Sequence, residues 1–268
     1  MKSSKDSRRT VLITGASSGI GRALAAVFAE HGFDLVVVAR RQPELENLAG
    51  ALRAAHGIEV TVIASDLTLP QAPQNVFQTV RQQGIEVEVL VNNAGVNFHG
   101  DFKDIALENH LKLLQLNIVA LTVLTHLYLQ PMVKRGHGRI LNVASLGAFQ
   151  PVPTLAVYAA AKAYVLSFTE ALAVELRDTG VKATALCPGF TDTAMVTIAS
   201  ATTGKPTSVP SFLIDKVERV ALEGYQACMR GETVCISGLT NQFAALWMQY
   251  QPRWLGRMVG GLLMRRKG

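Results

Sequence analysis

Tyr158 and Lys162, separated by three alanines, stand one helical turn apart and share a helix face. A free phenol, with a pKa of about 10, donates protons poorly near neutrality. An ammonium beside it favours the phenolate and lowers that pKa, which would make Tyr158 a usable general acid or base. The alanines keep the helix good and leave room for a ligand to lie close. Ser145 stands upstream of the pair and Asn117 upstream of Ser145. Singly, each has a plainer role. Tyr–Lys pairs are common on helices, a serine caps turns, and an asparagine bends helices. Their meaning depends on the elements that carry them.

Those elements alternate. Residues 10–14 are short, apolar and β-branched, as a buried strand requires, and residues 34–39 repeat the pattern around Leu35-Val36-Val37-Val38. Between them lie a glycine-rich turn and a helix near residues 22–30. Further strands are expected at 59–64, 87–91, 139–143, 181–186 and 233–236. Helices are expected at 43–56, 70–83, 107–133, 155–178 and 215–229, several with proline at the start or glycine at the end. Continuous apolar strands alternating with helices imply a parallel sheet covered on both faces. The fold class is therefore α/β, a single doubly wound, Rossmann-type sheet over residues 10–238. Residues 1–9 form a basic tail and residues 239–268 an amphipathic, basic extension.

Gly15, Gly19 and Gly21 follow the first strand directly. Glycines there let backbone N–H groups and a helix N-terminus approach a pyrophosphate without Cβ clashes. The second strand ends Ala39-Arg40-Arg41, with no carboxylate to bind a ribose 2′-hydroxyl and two guanidiniums suited to a 2′-phosphate. The cofactor expected is NADP(H).

The run Thr14-Gly15-Ala16-Ser17-Ser18-Gly19-Ile20-Gly21 resembles the cofactor motif of the short-chain dehydrogenase/reductase family. Asn92-Asn93-Ala94-Gly95 resembles its second motif, and Pro188-Gly189-Phe190-Thr191-Asp192-Thr193 its Pro-Gly-x-x-x-Thr motif. Asn117, Ser145, Tyr158 and Lys162 fall where that family carries its catalytic tetrad. The likeness runs over residues 10–236. It implies that Tyr158 exchanges a proton with a carbonyl or alcohol oxygen, and that Ser145 hydrogen-bonds that oxygen. It further implies that Lys162 also holds the nicotinamide ribose and that Asn117 belongs to a water-linked proton relay. Cofactor contacts are expected from Gly15, Ser17, Ser18, Gly19, Ile20, Gly21, Arg40, Arg41, Asp66, Leu67, Asn93, Ala94, Gly95, Tyr158, Lys162, Pro188, Gly189, Thr191 and Thr193. Asp66 and Leu67 take the place beside the adenine. Homo-oligomers built on the two long helices are the family's usual form.

The substrate side reads as apolar. Residues 146–153 follow Ser145, and residues 193–212 suggest a mobile lid. Ser145, Phe149, Gln150 and Met195 are the expected pocket, and a small lipophilic ketone or 3-oxoacyl compound the expected substrate. The leading reading is a carbonyl reductase. An NADP-linked alcohol or hydroxysteroid-type dehydrogenase running toward oxidation, or a non-catalytic NADP-binding regulator, are the alternatives. No metal-ligand spacing is present.

The chain carries a net +6, yet no interior segment is a dense basic run, so nucleic acid is not the expected partner. Three cysteines, none in a C-x-x-C pair, suit a reducing, cytoplasmic setting. Residues 1–9 lack the apolar core of a signal peptide, and no apolar run looks long enough to cross a bilayer as a helix. The extension holds both tryptophans, Trp247 and Trp254, with Leu, Met and Arg at helical spacing and Pro252 between two short helices. It fits a helix lying peripherally on a membrane surface or one packed on protein; Gly256, Gly260 and Gly261 weaken a free helix there.

Overall fold

The computed structural model describes residues 9–191 and 214–251. The expected lid, with Thr193 and Met195, the N-terminal tail to Arg8 and the extension from Pro252 onward lie outside the described residues. Seven parallel strands form one sheet: β1 (Thr10–Thr14), β2 (Asp34–Ala39), β3 (Val60–Ala64), β4 (Val87–Asn92), β5 (Gly138–Val143), β6 (Val181–Cys187) and β7 (Val234–Ile236). Their order across the sheet is β3-β2-β1-β4-β5-β6-β7.

Successive strand residues point to opposite faces, and here both faces are buried. Val11, Ile13, Leu35 and Val37 join one core; Leu12, Val36 and Val38 join the other. Helices α1 (Gly19–Glu30), α2 (Gln42–His56) and α7 (Val217–Arg230) cover the first face through Leu24, Phe28, Leu45, Leu52 and Val220. Helices α3 (Ala72–Gln82), α5 (Leu121–Arg135) and α6 (Ala156–Glu175) cover the second through Val76, Leu124, Met132 and Leu172.

α5 continues α4 (Leu107–Leu114) through a π-helical segment, Gln115–Ala120, so one helical rod runs Leu107–Arg135. Against expectation, this rod and α6 are each long and apolar enough, by length and composition, to cross a membrane. Part of that apolarity faces the core: Leu124, Tyr128, Met132, Val165 and Leu172 are buried. Helix α8 (Leu239–Tyr250) follows β7.

Chain order reverses between β1, which pairs with β2 on one side, and β4 on the other. At such a switch point a crevice opens beyond the carboxyl ends of the strands, and ligands bind there. A buried polar string stiffens the neighbouring strand ends. Asn92 Nδ2 donates to Thr125 Oγ1 (3.0 Å) and to Asn142 Oδ1 (2.9 Å), and Asn142 Nδ2 donates to Thr169 Oγ1 (2.9 Å). It ties β4 and β5 to α5 and α6, the helices nearest the chemistry.

Candidate active site

The glycine-rich turn is laced to the turn after β4. Thr14 Oγ1 accepts from the N–H groups of Asn93 and Ala94, each at 3.0 Å, and donates to Val91 O at 3.3 Å. Asn93 Nδ2 donates to Thr14 O at 2.9 Å and Gly15 O at 3.3 Å. Gly15 has φ 69°, and a Cβ there would meet Asn93 Nδ2 at 2.8 Å and Ala94 Cα at 2.9 Å. A Cβ on Gly21 would meet Gly15 O at 2.5 Å. The glycines are therefore required by the approach of one turn to the other.

A pyrophosphate needs free N–H groups at a helix start, and α1 provides them. Its N-cap residue Ser18 makes no side-chain capping bond, and no acidic residue sits in the first turn. The cradle fits a dinucleotide. We expect Gly21→Ala to destabilise the fold by ~1–3 kcal/mol through overpacking and to weaken dinucleotide binding. Thermal unfolding and a binding titration check this; both unchanged would mean that the loop opens freely.

Arg41 reaches from the end of β2 to the same loop, where Nη2 donates to Ser17 Oγ at 3.3 Å; Glu44 partly neutralises it at 3.2 Å. Arg40 lies close enough to Asp66 to act on it electrostatically. Burial pushes the Asp66 carboxyl up, but the Thr68 N–H and hydroxyl bonds, with Arg40 and Lys112, hold it below the ordinary value on balance. Leu67 is buried in the core beneath, so its side chain is packing and only its backbone remains for a ligand. Ile20 packs partly buried against the core from α1.

Asn117 lies in the π-helical segment and is 1% exposed. The wider turn aims its amide at the chain after β4: Val96 N donates to Asn117 Oδ1 at 2.9 Å, and Asn117 Nδ2 donates to Val96 O at 3.0 Å. π-segments recur at functional sites for this reason, re-aiming one side chain without ending the helix. Gly95 leaves the space: a Cβ there would sit 3.2 Å from Asn117 Oδ1 and 3.7 Å from Lys162 Nζ. Asn117, Gly95 and Lys162 thus meet at one point.

Tyr158 and Lys162 occupy the first turns of α6. Lys162 is buried, and its ammonium donates to Val143 O at the end of β5 (2.7 Å). Burial lowers its pKa to about 8, with the nearby Cys187 opposing. The expectation that Lys162 pulls the phenol down is corrected. Burial pushes the Tyr158 pKa above its ordinary value, and the opposing influence is the Ser145 hydroxyl. The ammonium lies 5.7 Å from the ring centroid and is held on a carbonyl. Ser145, just past β5, caps a 3₁₀ turn at Leu146–Ala148, its Oγ accepting from Gly147 N at 3.1 Å. Leu146 N donates to Pro188 O (2.8 Å), which brings the Pro188-Gly189 turn to the site.

Of the expected pocket, Ser145 faces the phenol. Phe149 packs partly against the cluster of Leu121, Ala144, Val165 and Leu166, so it is in part core. Gln150 is partly exposed beside it. Beside Tyr158 lies a small, largely apolar recess that residue spacing does not show. Phe98, Phe102, Ile105, His110 and Val157 line it, and Tyr158 forms one wall. Thr154, at φ 66°, helps shape it: its carbonyl accepts from Gly100 N (2.9 Å) and its hydroxyl bonds His99 Nε2 (3.0 Å). The available signal was two phenylalanines in a short aperiodic run immediately after Asn93-Ala94-Gly95.

Residue spacing likewise carries no sign of a clamp at the far edge. Thr191 bridges Asp215, Asp215 N donates to Phe190 O (2.8 Å), and the Asp215 carboxylate pairs with Arg219. Among the described residues no group of three or more His, Cys, Asp or Glu is placed to hold a metal ion.

The family model for short chain dehydrogenases matches residues 9–203. The very-long-chain 3-oxoacyl-CoA reductase of Rattus norvegicus is 30% identical over 247 residues, covering 90% of this chain and 77% of that protein. A short-chain dehydrogenase from Sphingobium yanoikuyae, solved in complex with NADPH, superposes with a TM-score of 0.81 at 34% identity, covering 97% of this chain and 96% of the other. The bulky-bulky ketone specific alcohol dehydrogenase from Comamonas testosteroni does so with a TM-score of 0.77 at 29% identity, covering 97% and 95%. With a nucleotide-binding sheet of this order, and a phenol, an ammonium, a hydroxyl and an amide gathered at its switch-point crevice, the chain belongs to the short-chain dehydrogenase family and is an oxidoreductase of Rossmann fold.

Proposed function

We propose that the protein is an NADPH-dependent reductase of lipophilic ketones or 3-oxoacyl compounds. The observation that carries this is the position of Tyr158, between the Ser145 hydroxyl and a recess walled by Phe98, Phe102, Ile105 and Val157. A carbonyl oxygen would be held between phenol and hydroxyl, with the apolar side chains of Phe98, Ile105 and Val157 beside Tyr158 offered to the group attached to it. The relatives that act on 3-oxoacyl-CoA and on bulky ketones support that substrate class.

Gly15, Ser17, Ser18, Gly19 and Gly21 would hold the pyrophosphate, and Arg40 and Arg41 the 2′-phosphate. Asp66 would lie at the adenine, with Asn93, Ala94, Gly95, Pro188, Gly189 and Thr191 around the nicotinamide. When bound, the cofactor supplies the hydride for the carbonyl carbon. Tyr158 gives its proton to the carbonyl oxygen, and Ser145 orients that oxygen and stabilises the charge growing on it. Lys162 keeps a positive charge beside the phenolate that remains, and Asn117 holds the path by which the proton is replaced. The NADPH complex of the Sphingobium relative supports the cofactor. Three buried, unpaired thiols fit a reducing, cytoplasmic setting. The rod Leu107–Arg135 and α6 leave Leu111, Val119, Tyr164 and Val174 exposed, which supports a homo-oligomer through these helices.

Following NADPH and NADH absorbance against 3-oxoacyl thioesters, steroid-like ketones and aromatic ketones tests the reading. Oxidation confined to NADPH and to one lipophilic class is expected. Arg40→Asp should cut the NADPH preference about tenfold or more, the scale of one lost charge-assisted hydrogen bond. An unchanged preference would remove Arg40 from cofactor recognition. Tight NADPH binding without turnover on any carbonyl would favour a regulator over an enzyme.

A further inference from the structure

Helix α8 carries its bulk on the outside. Its domain side presents Asn241 and Ala245, both buried, with Ala244 and Met248 partly buried. Its outer side presents Leu239, Phe243, Leu246, Trp247 and Tyr250, exposed to 72, 73, 53, 68 and 81%. These positions follow one stripe at helical spacing, so the helix is amphipathic with its large apolar groups turned away from the domain. A contiguous apolar patch of this kind marks a docking surface.

What docks there is indicated by charge. Residues 239–268 contain no Asp or Glu and five cations, Arg253, Arg257, Arg265, Arg266 and Lys267, so they carry five of the chain's six net positive charges. Two copies of such a surface would repel each other. An anionic bilayer meets both halves of the pattern: Trp, Tyr and Phe settle at the headgroup level, and cations meet lipid phosphates. We propose that the outer face of α8 docks the protein on an anionic lipid surface, and that this bilayer is the source of its carbonyl substrate.

The geometry joins that surface to the site. Asn241 Nδ2 donates to Asp215 Oδ2 (2.7 Å) and Ser237 O (2.7 Å), and Asp215 is the residue bridged to Thr191. Gly189 lies so close under Asn241 that a Cβ there would collide with its amide. α8 is thereby fixed to the turn that follows β6, and Pro188 of that turn accepts the bond from Leu146 beside Ser145. A bilayer under α8 would lie at the β7 edge of the sheet, linked to the site through that turn. The docking stands on the exposed face of α8 and the positive charge of the sequence that follows it, independently of the reductase reading; the substrate source rests on that reading.

Trp247 and Trp254 are the chain's two tryptophans, so their emission reports on this region alone. Full-length protein would be mixed with phosphatidylcholine vesicles, with and without phosphatidylglycerol, and followed by flotation and Trp emission. We expect flotation and a blue shift with the anionic vesicles, weakened by salt. The exposed double variant Leu239→Gln/Phe243→Gln should partition at least about tenfold less. With a long-chain ketone carried in those vesicles its KM should rise, while turnover of a short water-soluble ketone stays unchanged. Failure of the full-length protein to float, or equal flotation of the variant, overturns the docking. So does a fall in mass by light scattering in the variant without lipid association, which would assign the face to a second copy. An unchanged KM for the vesicle-borne ketone overturns the substrate source. Absence of turnover even on soluble ketones would overturn the reductase reading and leave the docking result standing.

Discussion

Tyr158→Phe is expected to lower turnover by ~10²–10⁴-fold, the range for a positioned general acid, with NADPH still bound. The substitution removes one oxygen and keeps the ring that walls the recess with Phe102 and Val157, so packing changes little. The effect should therefore fall on kcat and leave the dinucleotide affinity near that of the wild type. The phenol's raised pKa sharpens the test. Burial disfavours the phenolate, so in the cofactor-free protein Tyr158 stays protonated beyond the ordinary range and remains ready to donate. Ser145 opposes that shift by hydrogen-bonding to the site, and the Gly147 N–H bond at 3.1 Å fixes its hydroxyl. Single-turnover kinetics and a dinucleotide titration on the variant separate the two effects. Near-wild-type turnover would remove Tyr158 from the chemistry.

The parallel sheet was legible because its strands are apolar on both faces. The run Leu35-Val36-Val37-Val38 can satisfy alternate cores only between two helical layers, and Leu35 and Val37 do enter one core while Val36 and Val38 enter the other. The glycine turn was legible because three small residues at that spacing after a strand have few other uses. Distances between motifs were not. That Gly21 is required by Gly15 O and that Gly95 makes room for Asn117 and Lys162 are facts of tertiary approach, and spacing carries no trace of them.

Two departures have physical causes. Helical periodicity cannot tell a straight helix from one with an inserted π turn, so the spacing over 107–133 implies a continuous helix where the structure has the turn that aims Asn117. The electrostatic expectation for Tyr158 considered charge and omitted burial, and the structure makes burial the larger influence on both Tyr158 and Lys162. The direction in which the apolar stripe of α8 faces is not legible for a related reason. Apolar spacing shows that a helix has a face, but which way the face turns is decided by what Asn241 and Ala245 pack against.

Lys162→Met is the second large effect, and it should be visible in stability as well as in turnover. The ordinary lysine value is 10.5, and burial brings Lys162 to about 8. Below pH 8 the side chain is charged in both the folded and unfolded states, and the folded state bears the burial penalty, ~3 kcal/mol at ~1.4 kcal/mol per pKa unit. Between about 8 and 10.5 the folded protein releases the proton first, the unfolded chain binds more protons, and stability rises with pH. Above 10.5 the penalty is gone.

Methionine keeps the length of the stem and abolishes that rise. The buried thiols act in the opposite sense at the alkaline end: burial raises Cys187 to about 12 and Cys235 to about 11, which favours the unfolded state once free thiols ionise. The useful quantity is therefore the difference between the variant and wild type, measured by denaturant unfolding of both from pH 7 to 10.5. The stability of the wild type should gain on that of the variant across the window. Turnover of Lys162→Met should fall by ~10²-fold, the lower end for losing support of a general acid. A difference that stays flat with pH would show that the ammonium is already solvated in the folded protein. Retained turnover would leave Lys162 as a structural tie between α6 and Val143 at the end of β5.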